Sequence, residues 1–139
     1  METRKFKYLT TNDLSEGQIE GIPIVQNIAD AISMLTVENK PIVRYEFGNS
    51  MMPILRSGQF CLIKPLQENE EINIGDSVFC NVDGYVGTHM VILKSATDRD
   101  NTWYLIGTSS MHVIGWTDVV YGKATGIPYI VDETNGFLD

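Results

Sequence analysis

The stretch Ser77-Val78-Phe79-Cys80-Asn81-Val82-Asp83-Gly84-Tyr85-Val86-Gly87-Thr88-His89-Met90-Val91-Ile92-Leu93 decides the fold class. Two runs rich in β-branched and apolar residues, 77–82 and 86–93, flank Asp83-Gly84, and a dipeptide of this type supplies the positive φ that a two-residue hairpin turn requires. The stretch therefore predicts a β-hairpin. Runs of the same kind lie at 42–47 and 59–64 before it and at 103–106, 119–124 and 127–131 after it. Turn residues separate them, at Gly75-Asp76, Asp98-Arg99-Asp100-Asn101 and Gly115. The body is expected to be mainly β.

Before this body the period changes. Ile24, Ile28, Ile32 and Leu35 recur at helical spacing with Val25 and Ala29 beside them, while Gln26, Asn27, Asp30 and Ser33 fall mostly elsewhere on the wheel. Pro23 suits a first turn and Pro41 lies beyond the stop, which predicts an amphipathic helix over 23–38. Residues 1–22 are polar and without sustained period, and read as an N-terminal arm. Residues 23–139 then make one helix-plus-β domain, long enough to bury about two thirds of its unfolded surface.

Composition narrows the function classes. Apolar residues at 43% and charged residues at 20% suit a globular chain. A net charge of −8, with no Lys/Arg cluster beyond the short N-terminal one, argues against direct binding of nucleic acid. No apolar stretch approaches the ~20 residues that cross a bilayer, so no membrane anchor is expected and the chain reads as soluble and cytoplasmic. Cys61 and Cys80 each fall in a strand-like run and read as reduced core residues. With His89 and His112 they lack metal-ligand spacing, and phosphate-binding Gly loops are absent, so neither metal nor cofactor is expected.

One further motif carries chemistry. The run Gly48-Asn49-Ser50-Met51-Met52-Pro53-Ile54-Leu55-Arg56-Ser57-Gly58 places a serine between residues that shape a turn, with Pro53 fixing φ and Gly58 permitting a sharp reversal into the next strand. This run resembles the nucleophile box of the serine peptidase clan that includes type I signal peptidases and LexA-like self-cleaving repressors. A second box, 75–93, is similar to the segment in which that clan carries its general base. The repressor and bacterial signal peptidase branches have a lysine there. Thr88-His89-Met90-Val91-Ile92 instead resembles the His-Arg-Val-Ile run of the archaeal, endoplasmic-reticulum and sporulation-type signal peptidases, which makes His89 the matching base. An imidazole, with an ordinary pKa of about 6.5, accepts a serine proton at neutral pH without the deep desolvation a lysine requires.

A third box, Trp103-Tyr104-Leu105-Ile106-Gly107-Thr108-Ser109-Ser110 with Val119-Val120-Tyr121-Gly122-Lys123-Ala124, is similar to the clan's closing segment. Here the chain departs from the pattern, because Thr108 stands where the clan has the aspartate that orients the histidine. Thr108 and the nearest downstream carboxylate, Asp118, are the candidate orienting residues, and His112 is a further group in the same loop region. Lys64, Lys94 and Lys123 are alternative bases by chemistry, although none stands at the clan's base position. The Ser50 backbone N–H is the natural oxyanion donor, and Gly48 offers no hydroxyl to assist it.

The resemblance covers about 45–127 and implies a LexA/signal-peptidase-like β fold preceded by a helix. It implies a soluble serine peptidase with a Ser50–His89 dyad, acting on a peptide or protein, with a homodimer also possible. Two alternatives stand beside it: an inactive peptidase-like module for binding or assembly, and a phage or repressor-like self-cleaving regulator.

Overall fold

Asp83 and Gly84 adopt φ of 53° and 90°, Val82 faces Tyr85 across the turn, and the Gly84 N–H donates to Asn81 Oδ1 at 2.9 Å. The hairpin read from the sequence is therefore present, closed by a turn that needs two left-handed residues. The computed structural model describes residues 18, 19, 21–46, 59–95 and 102–126. In chain order these form β1 (Gln18–Ile19), β2 (Ile22–Pro23), α1 (Ile28–Thr36), β3 (Ile42–Glu46), β4 (Gln59–Pro65), β5 (Ser77–Val82), β6 (Tyr85–Lys94), β7 (Tyr104–Gly107), β8 (Val113–Thr117) and β9 (Val120–Gly126). The fold is mainly β with one helix near the start of the described chain.

Strands β3 to β9 make a seven-stranded sheet in the order β3-β4-β9-β5-β6-β7-β8, with every adjacent pair antiparallel. Bulges interrupt the register in β5–β9, β6–β7 and β7–β8 and sharpen the local twist. The sheet curls far enough for the end of β8 to return to β5. The Thr117 hydroxyl donates to the Asn81 carbonyl at 2.6 Å, and the Asn81 N–H donates to the Val119 carbonyl at 3.1 Å. Strands β4 and β9 approach so closely that a Cβ at Gly122 would stand 2.5 Å from the Lys64 carbonyl oxygen, which reserves that position for glycine.

Alternation along the strands gives each face its own core. Ile42, Cys61, Ile63, Phe79 and Ala124 point to one face and bury Ala31 and Leu35 of α1. On the other face Val78, Cys80, Val82, Val91 and Ile106 cluster with Ile72, and Val43 and Phe60 pack with Ile24.

The helix is shorter than its spacing predicts. Pro23 belongs to β2, where it pairs with Gln18, and Ile24 bridges to Val43. The physical reason is that residues 24–26 are held extended along the outer edge of β3. The Val25 N–H donates to the Val43 carbonyl at 2.9 Å. The Gln26 amide accepts from Tyr45 N–H at 2.7 Å and donates to the Tyr45 carbonyl at 3.1 Å. Arg44 Nη1 donates to the carbonyls of Val25 and Gln26, each at 3.1 Å. Ile24 thus recurs at helical spacing for a different reason, burial against the sheet. The helix begins only where Asn27 can cap it, accepting the Asp30 N–H on Oδ1 at 2.9 Å, and it ends before Asn39, whose φ of 55° closes the last turn. Asn27→Ala should lower stability by about 1 kcal/mol, read from urea melts.

Two further differences concern elements rather than bounds. The end of the expected arm, with Pro23, forms the β1–β2 hairpin, in which Gln18 pairs with Pro23 and Ile19 with Ile22, and β8 has no counterpart among the strands expected from the sequence. The expected strand at 127–131 lies outside the described residues, as do residues 1–17.

Candidate active site

His89 sits near the middle of β6, level with Val78 of β5, and Val78 is in turn level with Lys123 of β9. Strand alternation puts Gly87, His89, Val78 and Lys123 on one face of the sheet. The His89 side chain is half-buried and its Nδ1 is closed off from solvent. Its ring lies back along the strand over Gly87, so that a Cβ there would stand 3.3 Å from Nε2. The floor beneath this pair is apolar, because Val78 and Cys80 opposite them are fully buried.

Thr108 comes level with His89 when the β6–β7 register, which pairs Met90 with Gly107, is continued by one residue. Its hydroxyl, however, is engaged within its own turn. It accepts the His112 N–H at 3.1 Å and lies 3.0 Å from Ser110 Oγ, which is itself 3.3 Å from His112 Nδ1. The Thr108 N–H donates to the His112 carbonyl and the Met111 N–H to the Thr108 carbonyl, each at 2.9 Å, closing the same turn. Thr108, Ser110 and His112 therefore form a local network at the surface, uncharged unless the imidazole takes a proton.

Asp118 is placed elsewhere. It lies exposed in the bend between β8 and β9, where Thr117 Oγ1 accepts the Val119 N–H at 2.9 Å while donating to Asn81. Asn81 is level with Val86, and the three residues from Val86 to His89 span about 10 Å of strand. Thr108 thus lies one residue past the end of β7, where the continued register points to the row of His89, and Asp118 lies toward the other end of the hairpin. Ser50, with Gly48, Met51 and Pro53, lies outside the described residues. The chain leaves for that segment at Glu46 and returns at Gln59, which are cross-strand partners at one end of β3–β4.

Two of the alternative bases carry ion pairs. Lys123 Nζ is 3.3 Å from Asp76 and 3.5 Å from Glu70. Lys94 ends β6 and bonds Glu71 at 3.1 Å and the Ile72 carbonyl at 2.9 Å. Lys64 faces Lys123 across β4–β9 and is exposed. These pairs are partly open to solvent and contribute little stability, but they direct both ammonium groups at carboxylates. No local signal announced the partners of Lys123, because Glu70 and Asp76 are far from it in sequence.

Both cysteines are buried and reduced. Burial pushes the Cys80 thiol up to about 12, whereas an unfolded thiol ionises near ~8.5. The folded chain therefore keeps a proton that the unfolded chain loses, and the associated stability is fully present below about pH 8.5 and is lost as pH rises toward the folded value. Native protein should resist thiol reagents at pH 8, and urea melts above pH 8.5 should show a steeper loss of stability than Cys80→Ala.

Among the described residues no group of three or more His, Cys, Asp or Glu side chains could hold a metal ion, and no helix is long and apolar enough to cross a membrane. No family model, no curated protein and no solved structure matches the chain, so the site is defined by its own residues: a half-buried imidazole seated over a glycine on an apolar stretch of sheet.

Proposed function

We propose that the chain is a soluble, cytoplasmic serine peptidase of the LexA/signal-peptidase type that hydrolyses a peptide bond with Ser50 as nucleophile and His89 as base. The placement of His89 carries this reading. A strand holds the imidazole with Nδ1 buried and Nε2 over Gly87, and a rigid strand positions a catalytic group more closely than a loop does. The nucleophile comes from the resemblance of 48–58 to the clan's serine box.

In this reaction Ser50 Oγ attacks the carbonyl carbon of the substrate as Nε2 of His89 takes the hydroxyl proton. The imidazolium then gives that proton to the departing amine, and the C–N bond breaks to leave an acyl-serine. A water, deprotonated by the same imidazole, attacks the ester, and the proton returns to Ser50 Oγ as the acid product leaves. The Ser50 N–H stabilises the oxyanion in both halves.

A second reading, a peptidase-like module that binds peptide without cleaving it, is favoured by Thr108. The residue that stands where the clan has its aspartate supplies no carboxylate, and its hydroxyl bonds within its own turn, whereas the clan's carboxylate orients the histidine and stabilises the imidazolium. A fluorophosphonate probe separates the two. A peptidase exchanges the P–F bond for a bond from Ser50 Oγ to phosphorus, adding one probe per chain by intact mass and none in Ser50→Ala. Absence of Ser50-dependent labelling from pH 6 to 9 would leave the binding module as the function.

A further inference from the structure

We infer that Gly87 is a positioning residue for His89: the missing side chain at 87 is the seat on which the imidazole lies, and it fixes where Nε2 points. The use of that Nε2 in catalysis rests on the reading above, but the seat itself rests on geometry.

Gly87 precedes His89 by two residues on β6 and so shares its face. Its backbone does not call for glycine. Among the described residues the glycines with positive φ are Gly21, Gly75 and Gly84, and Gly87 is not one of them. Glycine in the interior of a strand also weakens the strand, through lost side-chain packing and greater freedom in the unfolded chain. Close packing by the rest of the molecule does not explain it either. Among the described residues, the only atoms within 4 Å of a Cβ at 87 are Nε2 of His89 at 3.3 Å and Cδ2 at 3.9 Å. The contrast with Gly122 is direct, since there a Cβ would strike the backbone of the neighbouring strand. At Gly87 a Cβ would meet, among the described residues, the imidazole alone.

The closer of those distances falls below the ~3.5–4.0 Å of an ordinary contact, so a methyl group at 87 displaces the ring by a few tenths of an ångström. Displacement in the other direction is limited, because Nδ1 is already buried above the filled positions of Val78 and Cys80. A ring so held responds to the methyl group at Nε2, the atom that exchanges the proton, and catalysis is sensitive to shifts of that size.

Gly87→Ala tests the seat with two independent readouts. The first is the His89 ring itself, followed by its proton and carbon NMR signals through a pH titration. We expect its chemical shifts and titration midpoint to move while the melting temperature holds or rises. The second is the rate of Ser50 labelling by a fluorophosphonate, expected to fall by about 3- to 10-fold, because misplacement by around 1 Å can cost about 10²-fold and the ring moves by a fraction of that. The double variant Gly87→Ala/His89→Ala serves as the control for folding. With the ring gone, the added methyl group loses the only contact it makes among the described residues, so Gly87→Ala should be less destabilising, or more stabilising, in the His89→Ala background than in the parent. Equal stability effects in both backgrounds, together with His89 signals that coincide with the parent's, would overturn the inference. If neither parent nor variant labels but the His89 signals move, the seat stands and the peptidase reading fails.

Discussion

His89→Ala should slow fluorophosphonate labelling of Ser50 by about 10²–10⁴-fold, the range a positioned general base supplies, while leaving the fold intact. The fold should tolerate the change because His89 is only half-buried and the cores on both faces are built from other residues. A strand histidine kept only for packing would give a different result, a loss of stability with no change in labelling. Lys123 is the informative comparison. It lies on the same face, level with Val78, but its ammonium group is directed at Asp76 and Glu70. Lys123→Met should therefore leave the labelling rate within about 3-fold of the parent, well inside the effect of losing a base. If Lys123→Met abolished labelling and His89→Ala did not, the assignment of the base would be reversed.

Phe79→Ala should destabilise the protein by about 3–5 kcal/mol, the range for emptying a buried aromatic position. Phe79 is fully buried in the cluster that joins α1 to β3, β4 and β9. Its ring lies 5.9 Å from that of Tyr121 and 5.1 Å from the Arg44 guanidinium carbon. Arg44 would keep its bonds to the Val25 and Gln26 carbonyls but would border a void where it now has an aromatic face. For a chain of this length the loss corresponds to a fall of roughly 10–20 °C in melting temperature. Because whole domains are stable by only about 5–15 kcal/mol, partial unfolding at 37 °C is a realistic outcome. Phe79→Leu, which retains most of the volume, should lose clearly less. A loss below about 1 kcal/mol for the alanine variant would place the centre of this core elsewhere.

Which strands were legible in the sequence follows from what their side chains do. In β5 the run 78–80 is buried on both faces, so it appears as continuous apolar sequence, and Asp83-Gly84 marks its end by a local backbone requirement. In β8 the opposite holds. Val113, Ile114 and Trp116 are exposed, Gly115 interrupts them, and the strand exists because it pairs with β7 and returns to Asn81 through Thr117. Asn81 is far from β8 in the chain, and the neighbouring β7 is joined to it by a turn without the two-residue signature of the β5–β6 hairpin. The helix start failed for a related reason, since Ile24 matched the helical period while its backbone neighbours were hydrogen-bonded to β3.

The candidate site divides along the same line. By itself the sequence determined the β-hairpin that carries His89, the mainly β body with a helix before it, and the uncharged residue at 108, because turn chemistry and side-chain period act over a few residues. Only the tertiary structure decided that the imidazole lies on Gly87, that Thr108 turns its hydroxyl to Ser110 and His112, that the bend carrying Asp118 is anchored to Asn81 by its neighbours Thr117 and Val119, and that Lys123 answers to Asp76 and Glu70. The contacts at Asn81 and at Lys123 depend on register between strands distant in sequence and on the curl that brings β8 back to β5. Both are set by packing the two faces of the sheet together, and no local preference encodes them.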